Sequence, residues 1–310
     1  MRFPFVQLEF AQPLGPPAGR YVVRGPNGSA PSAATGGLHP LLGPDSALMA
    51  TADVLVIDGE ARAPRRRRLR QPRAAAVPPG KPPDDVQLFR YTVIKGTRAL
   101  DDFADAEAFF ASVSSSLEQA EEWVADALQT VNRGIAAHRA CAADPYAIEV
   151  SRRHPRAVRV GYGTGEKVFH STWEKAVELP APASPRIRRE LRLMPQQGMA
   201  EVLASGAPVL EGEELVLRVG LDLKQGRSRA AALALQTGVR LLHEELAGLG
   251  IAPAVADQLA ELRARAGDLD DLAERALTGP LRNGETARLA RLAELAGSVV
   301  DGWRYQRAPA

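Results

Sequence analysis

Six arginines fall within nine residues, Arg65, Arg66, Arg67, Arg68, Arg70 and Arg73, and they are the densest chemical signal in the chain. Guanidinium groups this close repel one another, stay hydrated, and each offers a donor fork to phosphate or carboxylate. On nucleic acid such a run would neutralise several phosphates and bind with a steep salt dependence. On an acidic protein or an anionic surface it would act through the same Coulomb attraction. Pro64, Pro72, Pro78, Pro79, Pro82 and Pro83 surround it, so the segment cannot continue as regular helix or sheet. The formal charge is +2, so the chain without these six arginines carries −4 and the basicity is local. The plainer expectation is a solvated linker held extended by its own charge. Leu69 is the only bulky apolar residue between the arginines, and no aromatic is interleaved on which a base could stack.

Three other constellations fall short of chemistry. Gly161, Gly163 and Gly165 precede Lys167, but Glu166 stands where a phosphate loop needs glycine and would repel phosphate. The expectation for Gly161 to Gly165 is therefore a hairpin turn whose glycines supply positive φ. His138 and Cys141 are three apart, one ligand or two short of a zinc site, and His154 or His170 could join them only if a β segment folded back. His243 precedes Glu244 and Glu245, yet the second histidine of a zinc-protease helix would have to stand at Ala247. His39 has no identifiable partner. No nucleophile, base and orienter form a set. The sequence gives grounds for no catalytic, cofactor-binding or metal-binding residue, and leaves open an enzyme whose site is scattered along the chain.

The elements that would position these residues fall into four stretches. At 310 residues, with 45% hydrophobic and 25% charged residues, the chain is long enough for two domains of about 150 residues each. Residues 1–60 are expected to be β-rich. Val6, Leu8 and Phe10 alternate with Gln7 and Glu9 as in a half-buried strand, and Tyr21 to Arg24 and Ala52 to Ile57 are further strands. Residues 61–84 are the Arg/Pro-rich stretch, either a long loop or an interdomain linker. Residues 85–180 form an α+β segment: a strand through Tyr91 to Ile94, a long amphipathic helix over about 102–141, then short strands at Ala147 to Val150, Ala157 to Val160 and Lys167 to Phe169. Residues 181–310 are expected to be a helical bundle, so the fold class is α+β. No stretch approaches the ~18 apolar residues of a membrane span, the lone Cys141 excludes an intramolecular disulfide, and the start lacks a secretory signal. A cytoplasmic location follows as the expectation.

Helical periodicity dominates from Asp101 onward. Ala106, Phe110, Val113, Leu117, Ala120, Val124, Ala127 and Val131 recur at steps of four and three, one seam on one long helix or on two consecutive ones, with Ser115 and Glu118 as a candidate capping box. The same spacing recurs over Leu235 to Leu249, Val255 to Ala276 and Leu289 to Trp303, with Asn283 as an N-cap. Residues 211–226 fit helix or strand, with helix favoured. The stretch VLRVGLDLKQGRSRAAALALQTGVRLL resembles one helix-turn-helix unit of a tetratricopeptide array, with Gly226 at the turn and Ala231 and Leu235 on the inner face. That resemblance implies helix-hairpin packing, and no ligand or activity. Stripes this regular either build the protein's own core or pair with another chain. The expectation is a non-catalytic cytoplasmic adaptor that presents helices to a protein partner, with Phe110, Val113, Leu117, Val124 and Val131 as the pairing seam and a homo-oligomer as one form of it. The alternative is a nucleic-acid-associated protein using Arg65 to Arg73 as its tether.

Overall fold

The computed structural model describes residues 1–23, 52–58, 88–170, 172–182, 199–200, 202–204 and 209–307. The chain is α+β and divides into two units, Met1–Ala183 and Ser184–Ala310. In the first, six strands form one antiparallel sheet: β1 (Arg2–Phe10), β2 (Gly19–Val23), β3 (Asp53–Asp58), β4 (Phe89–Ile94), β5 (Ala157–Thr164) and β6 (Lys175–Glu178), in the order β2-β3-β4-β1-β5-β6. The strand after the Arg/Pro-rich stretch thus rejoins the first three: β4 pairs with both β1 and β3, Phe5 opposite Ile94 and Val54 opposite Ile94. The chain between Asp58 and Leu88 joins neighbouring strands of one sheet, and the division into units comes only after Ala183.

One face of the sheet is covered by α1 (Phe103–Ser115) and α2 (Leu117–Ala142). Asp102 starts α1 by accepting a bond from the Asp105 N–H at 2.8 Å. Of the one long helix or two consecutive ones expected over about 102–141, the structure has two: Ser116, with extended backbone (φ −125°, ψ 111°), ends α1, and its hydroxyl accepts the Gln119 N–H at 3.3 Å to start α2. The cap stands one residue after the predicted one. The seam survives the break, because Val6, Leu8, Tyr91, Val93, Val158 and Val160 of the sheet pack against Val113, Ala120, Val124, Ala127 and Val131.

Three strand expectations are corrected. β1 is central rather than half-exposed, and its polar positions Gln7 and Glu9 are buried along with the apolar ones. Gly161 and Gly163 lie inside β5 with no positive φ, and the chain then enters the short helix α3 (Gly165–Phe169) where a strand was expected at Lys167 to Phe169. Close approach explains the glycine: a Cβ at Gly161 would overlap the Lys175 carbonyl oxygen of β6. Ala147 to Val150 is not a strand of the sheet but runs beside α2.

The second unit packs α4 (Glu211–Lys224), α5 (Ser228–Ala247), α6 (Pro253–Ala264), α7 (Ala266–Thr278) and α8 (Asn283–Arg307) around a core containing Val219, Leu235, Leu242, Leu262, Leu289 and Val299. α4 and α5 form the hairpin expected from the helix-turn-helix resemblance, with Gly226 at φ 70° in the turn. A Cβ at Gly212 would stand 2.8 Å from the Gly238 carbonyl oxygen, so glycine is what lets the two helices approach. The Val255 to Ala276 stripe is split between α6 and α7 at Arg265, which leaves Ala266 exposed. Asn283 is the first residue of α8, and the Glu285 carboxylate accepts the Arg282 N–H at 2.8 Å to close that helix start.

Candidate functional site

The residues singled out from the sequence are not brought together. Arg65, Arg66, Arg67, Arg68, Arg70, Arg73 and His39 lie outside the described residues. Val113, Val124 and Val131 are buried against the sheet, and Phe110 is half-buried, edge-on to Tyr162 at 6.3 Å. Leu117 alone of the five seam residues points outward, 53% exposed at the first position of α2. Cys141 is exposed near the end of the same helix, while His138 packs against the backbone of Gly15. The His154 Nδ1 accepts the Ser151 N–H at 2.7 Å. Among the described residues no three His, Cys, Asp or Glu side chains are placed to hold a metal ion.

Among the described residues, polar clusters built into the sheet include one on each face. On the face opposite α1 and α2, Glu9 accepts from Arg90 Nε at 2.9 Å and from Arg159 at 2.8 Å. Arg159 also reaches Gln7 Oε1 at 3.1 Å and Glu178 at 2.8 Å. Burial works against the Glu9 carboxylate, but the two guanidinium groups outweigh it and hold the acid below its ordinary value. This row is internally neutralised and serves to satisfy groups on a central strand. On the helix face, the Tyr162 hydroxyl donates to Glu107, which also accepts from Lys175 Nζ at 2.6 Å. Burial, then the bond to Glu107, push Tyr162 up to about 12, while Lys175, then Tyr162, hold Glu107 below its usual range. A phenol so raised is a donor and a poor base, so the cluster ties α1 to β5 and β6.

The arrangement aimed at solvent is elsewhere. α2 ends at Ala143 with φ 51°, and the chain turns back beside its own helix. Asp144 accepts the Tyr146 N–H at 3.0 Å to fix the turn. Arg139 Nε donates to the Ala147 carbonyl at 2.7 Å, and Arg139 pairs with buried Glu149 at 2.8 Å. The Asn132 amide donates to the Val150 carbonyl at 2.9 Å and accepts the Val150 N–H at 2.8 Å. Arg152 then pairs with Glu121 at 2.9 Å. Residues 144–152 therefore form a strap tied to successively earlier turns of α2. Its alternation is strand-like: Ala147 and Glu149 are buried, whereas Tyr146 is 85% and Ile148 69% exposed. The sequence suggested a short strand over Ala147 to Val150, but apolar Tyr146 and Ile148 facing water with Glu149 buried is the reverse of what its residue types imply. That the pairing partner is the side chain of Asn132 on a helix had no local signature.

No protein-family model, curated protein or solved structure matches the chain. No helix among the described residues is long and apolar enough to cross a membrane.

Proposed function

We propose that the protein is an adaptor that recruits a protein partner through the strap, with the sheet and α2 as its rigid support. One observation carries this: two large apolar side chains, Tyr146 and Ile148, are held in water by a segment whose backbone and alternate residues are fastened down. A tyrosine presented with little freedom left to lose is the kind of anchor that dominates binding energy at interfaces. The helical seam enters as scaffold, since its Val113, Val124 and Val131 pack on the protein's own sheet. Quantitative affinity enrichment with the full chain should recover a partner that the Tyr146→Ser/Ile148→Ser variant binds at least about tenfold more weakly, with unchanged circular dichroism. Equal recovery by both proteins rejects the strap as the recruiting surface.

A second reading keeps the polyanion tether. Asp58 pairs with Arg90, Phe89 with Phe10, and Glu9 with Ala157, so the chain carrying Arg65 to Arg73 leaves and re-enters the sheet at the end where Arg153 and Arg156 are exposed. Binding to a short duplex and to single-stranded RNA across a salt series tests it. Replacing the six arginines by Gln should flatten the salt slope; an unchanged slope excludes the tether.

A further inference from the structure

We infer that the helical unit pairs with a second copy of this chain, α4 packing antiparallel on the α4 of that copy about a two-fold axis. The inference is independent of the strap and goes beyond its recruiting role. One side of α4 meets the core through Val216 and Val219, with Leu223 packed against it. Another side carries a second stripe, Glu214, Leu217, Leu221 and Lys224, spaced by three, four and three, the repeat of a narrow helix-pairing seam. Leu217 is 52% exposed, Leu221 is half-buried, and neither belongs to the core cluster. Gly220 borders this stripe at mid-helix. It is exposed, and a Cβ built on it would meet nothing within 4 Å. Glycine weakens a helix interior, and here, unlike at Gly212, no neighbouring helix requires it. What Gly220 offers is close backbone approach to a second molecule.

The occupant follows from reading the stripe against itself. In an antiparallel pair each Leu217 faces Leu221 of the second copy, and each Glu214 faces its Lys224. A surface that complements itself in this way defines an isologous contact, residue i on j and j on i. Glu214 and Lys224 are both exposed, and neither has an ion-pair partner among the described residues. The other charges bordering the stripe are matched within the chain: Glu213 by Arg304, and Arg218 by Asp222 at 3.5 Å. A parallel pair would set Glu214 against Glu214 and Lys224 against Lys224, so charge selects the antiparallel one. The stripe is only about 15 Å long and covers much less than the ~800 Å² per partner of a stable interface. The dimer is therefore weak and concentration-dependent.

Sedimentation of the full chain from about 1 µM to about 500 µM tests this. The weight-average mass should rise from the monomer's towards twice that value. Leu217→Asp and, separately, Gly220→Leu should each weaken association about tenfold or more. The open space at Gly220 means that its leucine variant leaves the monomer undisturbed, so misfolding cannot mimic its effect. Glu214→Lys should weaken the dimer about threefold or more, and Glu214→Lys/Lys224→Glu should restore it. The register has its own readout. In a Cys141→Ser background, an equal mixture of Leu217→Cys and Leu221→Cys chains should oxidise mainly to the mixed disulfide. A monomer across the whole range, a dimer indifferent to Leu217→Asp and Gly220→Leu, a charge swap that restores nothing, or like-with-like disulfides in place of the mixed one would overturn the inference. None of these results bears on the strap, which is judged by Tyr146→Ser/Ile148→Ser.

Discussion

Single side chains here are governed by burial, and pH exposes it. His243 on α5 has its Nε2 buried without a hydrogen bond, and burial, then the nearby Arg263, hold the imidazole below its ordinary value. The folded state therefore keeps His243 neutral while the unfolded chain takes up a proton below about pH 6.5. Stability from this residue is complete above that pH and is lost as pH falls below it. Denaturant midpoints of the wild type should fall between pH 7.5 and pH 5, and His243→Gln should remove part of that slope; an identical slope in the variant rejects the assignment. Tyr162 gives a second prediction. Glu107→Gln removes the carboxylate that disfavours the phenolate, so the Tyr162 titration, followed by ring-carbon NMR, should move down from about 12, with the burial contribution remaining. Residues of this kind were the least legible in the sequence. Gln7 and Glu9 read as water-facing because alternation was all that could be seen, and the arginines that satisfy Glu9 stand 81 and 150 positions away.

At the level of elements, the account turns on the strap's attachment to α2. Asn132→Ala leaves the Val150 N–H and C=O without their partners, at a cost of about 1–3 kcal/mol. Amide exchange should accelerate from Ala147 to Arg152 while β1 stays protected; unchanged exchange in the strap would show that Asn132 does not hold it. The helices themselves were readable because four-three spacing reports a buried stripe whatever it packs on. The same property left one helix or two undecided, since the stripe continues across the break at Ser116, one residue beyond the suggested cap, and left undetermined whether the stripe met this chain or another. The glycines of β5 were misread for a related reason. Glycine permits both a positive φ and a close backbone approach, and only the neighbouring strand, β6, shows which was needed.

The molecule as a whole is two units with separate cores, one centred on the sheet and one on Leu235, Leu242 and Leu262. Leu235→Ala should destabilise the helical unit by about 2–5 kcal/mol, lowering its thermal transition while amide protection of β1 and β4 stays as in the wild type. Loss of protection in both would show that the units unfold together. The α+β class was legible from the change of periodicity at Asp101, but the pairing of β4 with β1 and β3 was not, because no local pattern reports register across residues 59–87. The most direct test of the recruiting role is photocrosslinking in cells with p-benzoylphenylalanine at Tyr146 and, as control, at Tyr305, which is 69% exposed. The account predicts a discrete protein adduct from position 146 that position 305 does not give. The same adducts from both positions, or none from 146, would contradict it.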